Sequence, residues 1–180
     1  MSTYSPDKIR NVVLVGHSSS GKTTLAEAIL FNTGALKRRG LVDDGNTVSD
    51  FDPEEIRRKI SINTSVLPCE YQQAKINVLD APGYLDFAGE VKGAIAAADT
   101  AIVVVDAVAG VEVGTELVWS YLDESNLPRV IFVNKMDREN ANFARVVSQF
   151  SDLFETRILP FQLPIGSQET FQGVVDVIKM

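Results

Sequence analysis

The stretch Gly16-His17-Ser18-Ser19-Ser20-Gly21-Lys22-Thr23 constrains the fold of this chain more than any other. It fits the pattern G-x-x-x-x-G-K-[ST] in the context that pattern needs, behind the apolar run at 12–15 and ahead of a helical pattern at 22–34. A strand that turns into a helix through glycines aims several backbone N–H groups at one point. The helix dipole adds positive potential there. Such a loop cradles a phosphate chain. Lys22 is placed to bridge β- and γ-phosphates and Thr23 to offer its hydroxyl to Mg²⁺. Gly16, His17, Ser18, Ser19, Ser20, Gly21, Lys22, Thr23 and Thr24 are the candidate phosphate-binding residues.

The rest of the chain alternates in the way such a loop requires. Near-continuous apolar runs stand at 12–15, 76–79, 101–105 and 130–133, as in parallel strands buried on both faces. Helical patterns lie between and after them, at about 22–34, 86–98, 113–125 and 139–155, with Val91, Ala94, Ile95 and Ala98 on one face of the second. The expected fold is α/β: a P-loop NTPase with a mainly parallel sheet and helices on both faces. The alternating stretch at 60–66 predicts one antiparallel edge strand. Residues 35–59 are polar, charged and weakly periodic; a long irregular segment inside a domain is usually functional or mobile. Two short strands are expected around Pro164–Thr170. The predicted division is a core at 1–156 and, at 157–180, the start of a further inserted unit that is cut short.

Composition excludes several classes. The chain of 180 residues is 45% hydrophobic with a net charge of −7, so bulk charge does not attract nucleic acid, although a local basic patch could. The single Cys69 cannot form an internal disulfide and reads as apolar filler in a reducing compartment. There is no secretory signal pattern and no apolar run near the ~20 residues that span a bilayer. A cytoplasmic protein without membrane contact is expected.

Two further motifs end strands. Asp80-Ala81-Pro82-Gly83 places a carboxylate to reach Mg²⁺ through a water and a glycine N–H to sense the γ-phosphate. Asn134-Lys135-Met136-Asp137 supplies a carboxylate that can accept both N1–H and the 2-amino N–H of guanine. Adenine has neither donor. Asn134 can tie this loop to the phosphate loop, and the Lys135 stem can lie along the base. Together the motifs select GTP and GDP over adenine nucleotides.

In order and spacing the three motifs resemble the translational GTPases of the elongation factor G branch. "GKTTLAEAILFNTG", "DAPGYLDFAGEV", "AVAGVEVGTE", "FVNKMDRENANF" and "LPIG…TFQGVVDVIKM" each look like the matching family stretch. The resemblance implies a first switch at 35–61, a second at 80–98, and a ribosomal partner of RNA and protein. It also implies that a Ser-Ala guanine-contacting loop, absent from these 180 residues, lies further along. The expectation is therefore a monomeric fragment with weakened guanine affinity and slow hydrolysis.

The departures from the family pattern are specific. Ser19 stands where the family usually has an Asp implicated in holding a monovalent cation. Ser61, in "KISI", stands where a Mg²⁺-binding Thr is usual. Tyr84 stands where a His usually orders the attacking water. A free phenol titrates near pH 10 and cannot be a comparable base at neutral pH. Lys22, Gly83 and Tyr84 are the candidate catalytic residues; Thr23, Ser61 and, through water, Asp80 are the candidate metal residues. Two other readings stay open: a GTP-binding regulatory module with little hydrolysis, and a ribosome-protecting factor. His17 reads as loop packing, Trp119 as half-buried packing, and Arg57-Arg58-Lys59 as a solvated face with ribosomal RNA contact as the alternative.

Overall fold

The computed structural model describes residues 4–179; Met1–Thr3 and Met180, which the predicted boundaries 1–156 and 157–180 include, lie outside the described residues. Five strands form one sheet in the order β2-β3-β1-β4-β5: β1 Ile9–Val15, β2 Ser65–Tyr71, β3 Ala74–Asp80, β4 Thr100–Asp106 and β5 Arg129–Asn134. β1 runs parallel to β3 and β4, and β4 parallel to β5; only β2 is antiparallel, against β3. The helices are α1 Lys22–Asn32, α2 Pro53–Arg58, α3 Ala88–Ala96, α4 Val113–Glu124 and α5 Phe143–Leu153. The mainly parallel α/β expectation holds.

Strand alternation divides the core between the two faces. Val13 and Val15 of β1, with Ala101, Val103 and Val105 of β4, meet Val91, Ala94 and Ile95 of α3, Val118, Trp119 and Leu122 of α4, and Val146 and Phe150 of α5. Leu14 points the other way, against Ala26 and Leu30 of α1, with Leu67, Cys69 and Val78. Cys69 is thus the buried filler expected. Trp119 is buried outright rather than half-buried: its ring stacks on Phe154 with centroids 4.3 Å apart, and the Arg129 guanidinium lies 4.5 Å from its centre. Among the described residues, Val130 and Phe132 on the outer face of β5 are left more than a third exposed.

The edge strand is displaced from its predicted position. It is antiparallel as expected but spans Ser65–Tyr71 instead of 60–66. The buried Glu55 carboxylate takes the N–H groups of Ile62 and Asn63, both at 2.9 Å, so those residues have no donors left for a ladder. Pro68 is accommodated because β2 is an edge strand. The stretch read as irregular also contains α2. Its start is a capping box, in which Asp52 accepts from the Glu54 N–H at 2.8 Å and Glu55 accepts from the Asp52 N–H at 3.1 Å. Arg57 and Arg58 stand exposed on α2, both paired with Glu54.

β6 Gln162–Ile165 and β7 Gly173–Asp176 form a separate antiparallel pair, as the two short strands expected there. The turn between them docks on the loop after β5: the Gln168 N–H donates to the Met136 carbonyl at 3.0 Å, and Phe171 packs on Ala107, Met136 and Ala141.

Candidate functional site

Three loops leave the same ends of β1, β3 and β5 and meet. The loop from β1 to α1 makes backbone turns that restrict its sequence. Gly16 has φ +142°, and a Cβ there would lie 2.3 Å from the Val104 carbonyl oxygen; Gly21 has φ +100°, and a Cβ would lie 2.3 Å from Asn134 Nδ2. Lys22 Nζ folds back and donates to the carbonyls of Gly16 at 3.1 Å and His17 at 2.8 Å. Burial lowers the Lys22 pKa to about 8, against the opposing pull of Asp80 and Asp50. Ser20 is buried, Ser18 half-buried, and Ser19 and Thr24 exposed. The His17 ring turns away toward α4, accepting from the Gly114 N–H at 3.2 Å and standing 3.5 Å from Glu112. It fastens the loop to α4, as a packing role requires.

The metal candidates are brought together from three elements. Thr23 Oγ1 and Ser61 Oγ share a hydrogen bond at 3.1 Å. Asp80, fully buried at the end of β3, accepts from the Ser49 hydroxyl through Oδ2 at 2.6 Å. Its Oδ1 has no partner among the described residues, and neither has Asp50 Oδ1, also buried. Burial raises the Asp80 pKa to about 6, while the hydrogen bond from Ser49, the nearby Thr23 hydroxyl and Lys22 oppose it; burial likewise raises Asp50. Two orphaned carboxylate oxygens beside two hydroxyls form a hard, anionic oxygen set, which fits Mg²⁺.

The Asp80 titration gives a direct test. The carboxyl titrates near 3.8 when unfolded and near 6 when folded. Between these values the folded chain holds more protons, so this group's contribution to stability falls as pH rises and is lost above about 6. Urea unfolding of Asp80→Asn at pH 5 and pH 7 is expected to show a smaller difference between the two than the parent chain shows. An unchanged difference would contradict the assignment.

Gly83 lies against the phosphate loop: a Cβ there would sit 2.4 Å from Lys22 Nζ and 2.8 Å from both N and Cα of Ser18. Tyr84 follows it, half-exposed, at the start of a single helical turn at Leu85–Phe87. From the third loop, Asn134 Nδ2 donates to the Ser20 carbonyl at 2.9 Å, the tie expected from sequence. Lys135, with φ +59°, donates to the Ser19 carbonyl at 2.8 Å. Asp137 is exposed further along this loop.

Four residues at the site escape sequence reasoning. Ser49, Asp50 and Glu27 are visible only once residues 40–66 are folded. Asp106, at the end of β4 beside Asn134 in register, pairs with Lys135 Nζ at 2.7 Å. Burial works against its charge, but Lys135 and the Val108 N–H outweigh that and hold its pKa low. An Asp closing the run "AIVVV" is the signal that could have found it.

Fold and loops together define a P-loop NTPase G domain. The chain belongs to the family described as the elongation factor Tu GTP binding domain, which matches residues 7–179. It is 42% identical to elongation factor G of Granulibacter bethesdensis over 180 residues, which is 100% of this chain and 26% of that protein. It is 44% identical to elongation factor G of Thermotoga maritima over 174 residues, 97% of this chain and 25% of that one. A crystal structure of a Thermus thermophilus protein superposes with a TM-score of 0.90 at 42% identity, over 96% of this chain and 26% of the other. The chain thus spans about a quarter of the length of the curated relatives it matches. Among the described residues no helix is long and apolar enough to cross a membrane.

Proposed function

We propose that this chain is the nucleotide-binding part of a Mg²⁺-dependent GTPase of the elongation factor G type, working on the ribosome in translation. The carrying observation is the convergence of the three loops, with Asn134 bonded to Ser20 and Gly83 seated on Ser18 and Lys22. The 157–180 hairpin is read as the start of an inserted unit.

In this reading the N–H groups of 16–24 hold the α- and β-phosphates. Lys22 releases its two loop carbonyls to bridge the β- and γ-phosphates. Thr23 and Ser61, and Asp80 through a water, would hold Mg²⁺, which would supply neutralisation of the charge on the phosphate chain. The Gly83 N–H reaches the γ-phosphate, and Asp137 takes the guanine edge. Hydrolysis forms a bond from water oxygen to the γ-phosphorus as the bond to the bridging oxygen breaks, leaving GDP and inorganic phosphate. Tyr84 can hydrogen-bond that water without taking its proton efficiently, so hydrolysis is slow. Tyr84 is also the feature that favours the second reading, a GTP-binding regulator.

Single-turnover GTP hydrolysis by the full-length protein, with and without ribosomes, tests the proposal. Stimulation by ribosomes supports it; the absence of stimulation favours the regulator. Tyr84→His is expected to raise the ribosome-stimulated rate tenfold or more, within the ~10²–10⁴ range of a positioned acid–base group. An unchanged rate would show that the phenol is not limiting.

A further inference from the structure

Residues 40–66 fold over Thr23 and Asp80, and two buried carboxylates hold them there. Glu55 works within the segment, accepting from the N–H groups of Asp52, Ile62 and Asn63. Glu27 works from outside. It lies on α1 one turn beyond Thr23, and i and i+4 share a helix face. Its side chain is buried, at 1% exposure. Oε2 accepts from the Gly40 N–H at 2.7 Å, and Oε1 from the Val48 N–H at 2.6 Å. One carboxylate therefore closes the 40–48 loop at both ends. Among the described hydrogen bonds, these two alone tie residues 40–48 to elements outside the 40–66 segment.

The loop beyond the latch reaches the site directly. Ser49, next to Val48, donates to Asp80, and the Ser49 carbonyl accepts from Ser65 Oγ at 2.7 Å. Twelve positions later in the same segment, Ser61 bonds Thr23 (61 − 49 = 12). Thr23 and Glu27 thus grip the two ends of the segment from one helix face that begins in the phosphate loop.

We propose that Glu27 is a positioning residue, a carboxylate latch that holds residues 40–61 closed over the Thr23 and Asp80 side of the nucleotide site. Two N–H donors need two acceptors. A glutamine of the same shape offers one acceptor and one N–H₂ group, which would face a backbone N–H. The latch itself is independent of what binds; its consequence for GTP rests on the function proposed above.

The test uses the full-length protein in two arms. In the first, without nucleotide, Glu27→Gln is expected to speed amide hydrogen exchange across 40–61 at least tenfold, and to speed tryptic cleavage after Arg57 and Arg58. Exchange in β1, β4 and α4 should stay unchanged, and Glu27→Asp, which keeps both acceptors, should recover part of the protection. Uniform acceleration everywhere, or none at 40–61, overturns the latch. Should the glutamine variant fail to fold, the parent chain still decides. Its Gly40 and Val48 amides should exchange at least tenfold more slowly than that of Asp43, and equal rates overturn the proposal. In the second arm, Glu27→Gln should weaken GTP at least tenfold and GDP less than threefold, because closure serves the γ-phosphate. Equal weakening of both overturns the coupling to the site. A parent chain that binds neither nucleotide counts against the function reading alone.

Discussion

Asp137→Asn is expected to lower GDP affinity by about 10²–10⁴ while leaving the fold intact. Guanine presents two donors on one edge, N1–H and the 2-amino group, and a carboxylate offers an acceptor to each. Asparagine keeps one acceptor and turns an N–H₂ group toward the other donor. Hydrogen bonds to charged groups contribute about 1.5–3 kcal/mol each, and two of them correspond to that affinity range. Asp137 is exposed, so its replacement removes nothing from the core. The loop is held instead by Asn134 on Ser20 and Lys135 on Ser19 and Asp106, none of which changes. Stability should therefore shift by less than about 0.5 kcal/mol. Xanthine carries an oxygen where guanine has its amino group and so matches the asparagine. Calorimetric titration should show the variant preferring XDP to GDP. GDP affinity within threefold of the parent would show that residue 137 does not read the base.

The parts legible in the sequence were those in which local chemistry decides geometry. Glycines at 16 and 21 announce a loop that only they can form, because each would drive a Cβ into a neighbour and each has a strongly positive φ. The apolar runs announce strands because a parallel sheet buries both faces. Asn134 is placed by its own strand, and its tie to the phosphate loop follows from topology. The segment at 40–66 was not legible for the opposite reason. Its shape depends on Glu27, Glu55 and Asp80, which accept from residues 13 to 31 positions away or from neighbours with no periodic pattern. Its one local signal, Asp52 followed by Pro53 and Glu55, is a capping box hidden in a charged run. The same carboxylate then displaced the edge strand, because side-chain acceptors took the amides that alternation alone would assign to a ladder.

Gly83→Ala is expected to cost at least 10² in GTP hydrolysis while leaving GDP binding within about tenfold. Gly83 has no positive φ, so alanine meets no backbone strain there; the obstacle is space. Its Cβ would come 2.4 Å from Lys22 Nζ and 2.8 Å from the Ser18 N and Cα. Lys22 ends a flexible side chain and can move, although it is buried and bonded to two carbonyls. The Ser18 backbone belongs to the phosphate loop and yields only if that loop deforms. The cheaper response is for the loop after β3 to withdraw. In the proposed reading that would move the residue 83 N–H away from the γ-phosphate and Tyr84 away from the water it would position. A displacement of ~1 Å costs about 10² in rate where catalysis rests on alignment. In the proposed reading GDP, which lacks the γ-phosphate, would be held by the loop at 16–24 and by Asp137, so its affinity should change little. Thermal unfolding should also change little, since β3 and α3 keep their contacts. Single-turnover hydrolysis and GDP titration on the same preparation separate the two effects. If GTP and GDP affinities fell together, the alanine would be distorting the phosphate loop itself, and the γ-phosphate contact assigned to residue 83 would lose its support.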